Sequence, residues 1–144
     1  MAGELAELLG ISRPEVEDDP VGKAYEAAER WETTVLLKGA TQYIANPFEK
    51  RVTLAIAGPS WTAQAGSGDV LAGICGTLLA AGLPAPKAAA LAASVQAMAA
   101  ARKPGPFPPD EVVTAIPEVL SDLAEVVGAQ AIRTGAFTPS SIAA

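Results

Sequence analysis

Three observations predict a layered α/β fold. Thr33–Leu37 is a continuous β-branched and aliphatic run of strand length, and Thr41–Ala45 and Arg51–Ile56 follow it closely as further strand candidates. Helical patterns flank this block on both sides, and those after it are alanine-rich. Composition agrees with a packed domain: 50% of the residues are apolar, 18% are charged and mean hydropathy is +0.29, which gives material for a core and excludes intrinsic disorder. The 144 residues suit one ordinary domain, or a piece of a larger one.

Each element has a local reason. Gly3–Gly10 carries leucines at helical spacing and closes on glycine. Asp19 as N-cap and Pro20 in the first turn start a helix that runs to about Trp31. The run at Thr33–Leu37 reads as a strand buried on both faces of a mostly parallel sheet. The next two strands read as an antiparallel edge hairpin around Asn46-Pro47-Phe48-Glu49-Lys50. From Ser67 the chain turns helical: Gly68–Ala81 is apolar nearly all round, predicts a buried central helix, and stops at Gly82 and Pro84. Pro86–Ala101 and Pro109 to about Val127 complete the helices, with Pro117 expected to bend or divide the last and residues 128–144 expected to fray. A sheet of three strands is thin for such a fold, which already suggests an incomplete domain.

Charge and composition exclude several function classes. A net charge of −6 and a pI near 4.6 argue against nucleic acid as a partner, since phosphate backbones are bound through a basic footprint. Aromatics at 5% do not furnish a stacking platform. With no histidine, Ser-His-Asp and Cys-His catalysis and His-ligated zinc are unavailable to this sequence. Cys75, the only cysteine, forms no internal disulfide and reads as a small core residue, so a reducing, cytoplasmic setting is expected. The uncharged stretch Val70–Pro86 is broken by glycines and falls short of the roughly 20 apolar residues of a spanning helix, so no membrane association is expected.

The feature most specific for chemistry is Ala65-Gly66-Ser67-Gly68-Asp69-Val70-Leu71-Ala72-Gly73, a glycine-rich turn opening directly into an apolar helix. Its glycines admit a ligand to the backbone amides, and the helix N-terminus adds roughly half a positive charge, so Gly66, Ser67 and Gly68 form a candidate anion hole. Asp69 reads in two ways, as a first-turn carboxylate that caps the helix or complements its dipole, or as a general base beside a phosphate. Lys38-Gly39-Ala40-Thr41 sits at the end of the first strand, where open α/β sheets bind ligands, and Lys38 is either a solvated strand-end lysine or a point charge for a nucleotide phosphate. Glu4 reads as a first-turn helix carboxylate, Trp61 as a loop anchor, and Gln96, polar amid alanines, as a residue that faces a site or bonds to backbone.

These pieces together resemble the C-terminal part of the ADP- or ATP-dependent NAD(P)H-hydrate dehydratases of the ribokinase-like superfamily. The resemblance rests on Ala2-Gly3-Glu4-Leu5-Ala6 with Leu8-Leu9-Gly10, on Val35-Leu36-Leu37-Lys38-Gly39-Ala40-Thr41, and on Gly66-Ser67-Gly68-Asp69-Val70-Leu71-Ala72-Gly73, in that order and spacing. It implies dehydration of hydrated NADH or NADPH, with ADP or ATP turning the added hydroxyl into a phosphate leaving group and Mg2+ neutralising phosphate charge. On the matching positions, Asp69 is implied as catalytic base and substrate contact, with Glu4 a second substrate contact. Lys38, Gly39, Ala40, Thr41, Gln42 and Gly68 are implied to bind the nucleotide.

The sequence also departs from the family pattern. Met1 and Gln96 stand at usual histidine positions, Gln64 replaces a threonine, and Ala55-Ile56-Ala57-Gly58 replaces an Asn-x-Thr-Gly approach. Roughly the first half of the family domain has no counterpart. Residues 1–144 are therefore expected to form a single partial ribokinase-like domain, associating as a homo-oligomer or with a complementing N-terminal half. A small-molecule kinase and a non-catalytic remnant are the competing readings.

Overall fold

The structure is a computed structural model that describes residues 1–56, 58–102 and 104–133, with side chains through residue 127. Helices α1 (Ala2–Leu9), α2 (Arg13–Asp18) and α3 (Pro20–Arg30) precede strands β1 (Val35–Leu37), β2 (Gln42–Asn46) and β3 (Arg51–Ala55). A 3₁₀ turn (Ser60–Thr62) then leads to α4 (Ser67–Ala80), α5 (Ala85–Ala101), α6 (Pro109–Val113) and α7 (Ile116–Arg133).

Local chemistry accounts for the helix ends. Gly10 closes α1 in the left-handed conformation, with φ 73°. The side chain of Asp19 accepts a hydrogen bond from the amide of Gly22 at 2.9 Å, opening α3 as its sequence predicts. Helix α2 was not expected, although Ser12-x-x-Glu15 is its signature. The Ser12 amide donates to the Glu15 carboxylate at 2.9 Å and the Glu15 amide donates back to the Ser12 hydroxyl. The Ser12 hydroxyl also donates to that carboxylate at 2.7 Å, and the two bonds it accepts from Ser12, the backbone one foremost, hold the Glu15 carboxyl below its ordinary range.

The three strands form one antiparallel sheet in the order β1-β2-β3, with Leu36 opposite Ile44 and Ile44 opposite Thr53. This corrects the expected parallel surroundings of β1. Only Lys38–Thr41 separates β1 from β2, and so short a connection cannot make the crossover that a parallel pair needs. The strand also starts later than Thr33, because the Thr33 amide still bonds to the Ala28 carbonyl at the exit of α3.

Side-chain alternation divides the sheet between two helical layers. Leu37 and Ala45, with Val35, Tyr43 and Val52, pack on Leu5, Leu9, Val16, Ala24 and Ala28 of α1–α3. Leu36 and Ala55 pack on Leu71, Ala92 and Ala93 of α4 and α5. A further core of Val95, Ala99, Val112 and Val119 joins α5 to α6 and α7, and Trp61 packs against it.

Trp61 is the loop anchor expected. Its ring meets Phe107 edge to face at 6.4 Å, and a Cβ on Gly105 would come within 2.2 Å of it, so only glycine fits there. The last predicted helix is divided, as expected near Pro117: α6 ends at Val113 and Pro117 occupies the first turn of α7. Helix α7 continues to Arg133, and the remainder of the predicted frayed tail, 134–144, lies outside the described residues. The larger correction concerns α4. It was expected to be buried, yet Ser67 and Leu71 are its only buried residues, because its described neighbours lie along one side.

Candidate functional site

The two motifs singled out in the sequence meet at one residue. Gly66 takes φ 85°, a left-handed turn that glycine makes without strain, and starts α4 so that Ser67, Gly68 and Asp69 form its first turn. From the end of β1, Lys38 Nζ donates to Ser67 Oγ at 2.7 Å, and that hydroxyl donates to the Gln64 carbonyl at 2.8 Å. The strand-end lysine is thereby tied to the helix N-terminus.

Lys38 is half-buried, and burial pulls its ammonium below the ordinary lysine range. Among the described residues no carboxylate forms an ion pair with it. A partly desolvated cation without a counter-charge, beside the positive end of a helix, is an arrangement that gains from an anion.

Three hollows share Lys38. One of about 170 Å³ lies between Lys38, Gly39, Ala40 and Gln42 and the segment Gly58–Ala63, with Gln96 and Ala97 as its floor. A second, of about 410 Å³, lies on the other side of the same loop, walled by Thr41, Tyr43, Arg13 and Pro20. The third, of about 250 Å³, brings Glu4 and Met1 of the α1 end to Lys38, Gly68 and Cys75.

Lys38 is thus adjacent to Ser67 and Gly68, Gly39, Ala40, Thr41 and Gln42 continue from it along the walls of the first two hollows, and Glu4 joins Lys38 and Gly68 from a distant part of the sequence. Gln42 is 5% exposed and its Oε1 has no hydrogen-bond partner among the described residues, an open acceptor at the edge of the first hollow.

Asp69 follows Gly68 in the first turn of α4 but is exposed, and the described walls of the three hollows do not include it. No side chain caps α4, so the capping role does not describe Asp69, and no hydrogen bond of its carboxylate is found among the described residues. Cys75 is half-buried with its thiol pushed up by burial, which agrees with a packing residue and not with a nucleophile. Among the described residues no three Cys, Asp or Glu side chains stand close enough to hold a metal ion. No described helix is long and apolar enough to cross a membrane.

Sequence reasoning missed several walls. Arg13 and Pro20 line the second hollow because α2 turns the chain there, which the Ser12–Glu15 box could have shown. The Gly58–Ala63 wall carries no local signal, since tertiary packing brings it to the loop.

A strand end joined through Lys38 to a glycine-initiated helix, with no ion pair to that lysine among the described residues, is a geometry of α/β proteins that suits an anion. The comparisons sharpen this class. Residues 2–117 match the family model described as NAD(P)H-hydrate dehydratase. The chain is 45% identical over 128 residues to the bifunctional NAD(P)H-hydrate repair enzyme of Mycobacterium leprae, covering 89% of this chain and 26% of that protein. It is 37% identical over 97 residues to the ADP-dependent (S)-NAD(P)H-hydrate dehydratase of Neisseria meningitidis, covering 67% and 32%.

The ADP/ATP-dependent NAD(P)H-hydrate dehydratase of Bacillus subtilis, co-crystallised with ATP and Mg2+, superposes with a TM-score of 0.74 at 25% identity, covering 84% of this chain and 45% of that one. The chain therefore belongs to the NAD(P)H-hydrate dehydratase family and has its fold. It spans about a quarter to a third of the length of these curated relatives and about half of the solved structure.

Proposed function

We propose that this chain carries the nucleotide- and anion-binding part of an NAD(P)H-hydrate dehydratase centre, acting on hydrated NADH or NADPH with ADP or ATP as co-substrate. The observation that carries this reading is the Lys38–Ser67 bond, which joins an uncompensated cation to the amides of the Gly66–Gly68 turn.

In this reading the nucleotide lies along Lys38, Gly39, Ala40, Thr41 and Gln42, its phosphates directed to Gly66, Ser67 and Gly68. The hydrated nicotinamide approaches from the Asp69 and Glu4 side. Asp69 takes the proton of the substrate hydroxyl as that oxygen receives the terminal phosphoryl group. The carbon–oxygen bond then breaks with phosphate as leaving group, and loss of a proton from the neighbouring carbon restores the ring double bond. Lys38 and the helix amides stabilise the charge that gathers on the phosphate.

Mg2+ fits such a centre without a carboxylate cage, because it commonly keeps water and substrate phosphate oxygens with one or two carboxylates. Asp69, in the first turn of α4, and Glu4, beside Gly68, are acidic residues near the turn that could contribute. When bound, the ion would neutralise phosphate charge.

Residues 1–144 are read as a single partial ribokinase-like domain of the cytoplasm. The outer edges of β1 and β3 and the exposed flank of α4 support association with a second copy or a complementing half.

The test is recovery of reduced-nicotinamide absorbance from hydrated NADH by the purified chain with Mg2+ and ADP or ATP, beside Asp69→Asn. Nucleotide-dependent recovery lost in the variant is the expected result. Accumulation of a phosphorylated hydroxyl compound would instead establish a kinase. A folded chain that gives neither product is the remnant, or needs its other half.

A further inference from the structure

Gln96 enters the site so far only as floor of the first hollow, yet it is also bonded to the start of α4. It projects from the middle of α5, is 6% exposed, and its Nε2 donates to the Ser67 carbonyl at 2.7 Å. The amide can satisfy that carbonyl only with its nitrogen, since its own oxygen cannot donate. Ser67 itself is 4% exposed and is held from three directions: Lys38 on its hydroxyl, the Gln64 carbonyl under that hydroxyl, and Gln96 on its carbonyl.

The Ser67 carbonyl and the Gly68 N–H belong to one planar trans peptide unit and point in opposite directions. A donor that fixes the first therefore fixes the second. Gly68 is exposed, its φ is not left-handed, and a Cβ there would meet nothing within 4 Å, so neither packing nor backbone conformation requires glycine. What glycine leaves open at that position is approach to its own amide.

We propose that Gln96 is a positioning residue of the anion site: by holding the Ser67 carbonyl it aims the Gly68 amide at the phosphate of the nucleotide. The inference rests on the nucleotide reading above and adds to it a residue from a helix that touches no reacting atom. Gln96 also lines the first hollow, beneath Lys38 and Gln42, so one side chain links the floor of that hollow to the helix N-terminus.

The experiment uses the full chain as wild type, Gln96→Met, which keeps the length and removes the donor, and Gln96→Glu, which donates only when protonated. Amide spectra are recorded without ligand and with inorganic phosphate or ADP, and turnover is measured over a range of ADP. In Gln96→Met the Gly68 amide signal should move in the ligand-free protein. The KM for ADP should rise roughly fivefold to tenfold, the size of one neutral hydrogen bond, with kcat little changed. Gln96→Glu should regain affinity as pH falls and its carboxyl takes up a proton, while the wild type shows no such gain. An unmoved Gly68 signal, an unchanged KM in Gln96→Met, or pH-independent Gln96→Glu overturns the proposal. A wild type that responds to neither phosphate nor ADP overturns the nucleotide reading instead, and the ligand-free Gly68 signal then judges Gln96 by itself.

Discussion

Helices α4 and α5 pack against each other and are both apolar nearly all round. Yet α5 buries nine residues, among them Ala92, Ala93, Ala99 and Ala100, whereas α4 buries Ser67 and Leu71 alone. The difference comes from their neighbours. Helix α5 is covered by the sheet, by α4 and by α6–α7, and its alanines let those layers approach closely. Helix α4 rests on α5 by one side and leaves Gly73, Gly76 and Leu79 exposed, beside an apolar groove bounded by Val113 and Leu120. Its N-terminus is the contrary case, fixed by Lys38, Gln64 and Gln96 through Ser67. An apolar pattern thus states what a helix can bury, and its surroundings decide what it does bury.

The largest effect that would sharpen this contrast lies at the fixed end of α4. Asp69→Asn should lower nucleotide-dependent dehydration by roughly a hundredfold or more, the scale of a lost general base. Because its carboxylate has no partner among the described residues, the thermal midpoint should stay within a few degrees. Equal loss of stability and activity would mean that Asp69 supports the helix.

Lys38→Ala should weaken ADP binding by about tenfold to a hundredfold in calorimetry, as for a charged hydrogen bond to phosphate. Burial lowers the Lys38 ammonium, so in the wild type ADP affinity should fall as pH rises through that lowered value, before the ordinary lysine range is reached. Folding stability moves the other way. Between the lowered folded value and the unfolded one the unfolded chain binds more protons, so stability rises with pH across that window. A flat affinity profile up to the ordinary range would remove Lys38 from the phosphate.

Ala99→Leu on α5 should cost about 1–3 kcal/mol in urea unfolding, because Ala99 is fully buried and extra methylenes have nowhere to go. Gly76→Ala on α4, where a Cβ meets nothing within 4 Å, should instead stabilise by up to about 1 kcal/mol. If Gly76→Ala destabilises, or lowers the mass seen by light scattering, the outer side of α4 is covered in solution and the contrast with α5 disappears.

Much of the site was legible in the sequence. Gly66-Ser67-Gly68-Asp69 announces a helix start built to meet an anion, and Lys38 stands at a strand end whose aliphatic run is unmistakable. Gln96 was visible as a polar interruption, though not its partner, because a glutamine on an alanine helix says nothing of which carbonyl lies 29 positions away. The Ser12–Glu15 box marks the start of α2 by sequence alone, since both its bonds lie within four residues. The antiparallel pairing of β1 followed from loop length, which constrains direction more strongly than the strand's own apolar run.

The sequence by itself determined the elements, their ends and the residue types that chemistry would use, because caps, turns and periodicity act over a few neighbouring positions. Only the tertiary structure decided which of them meet. It joined Lys38 to Ser67 and Gln96 to the same residue, brought Glu4 to the Gly68 side, and left Asp69 and the flank of α4 open. Those outcomes depend on how layers pack at long range, where an apolar residue finds its partner by shape and burial and no local spacing records the choice.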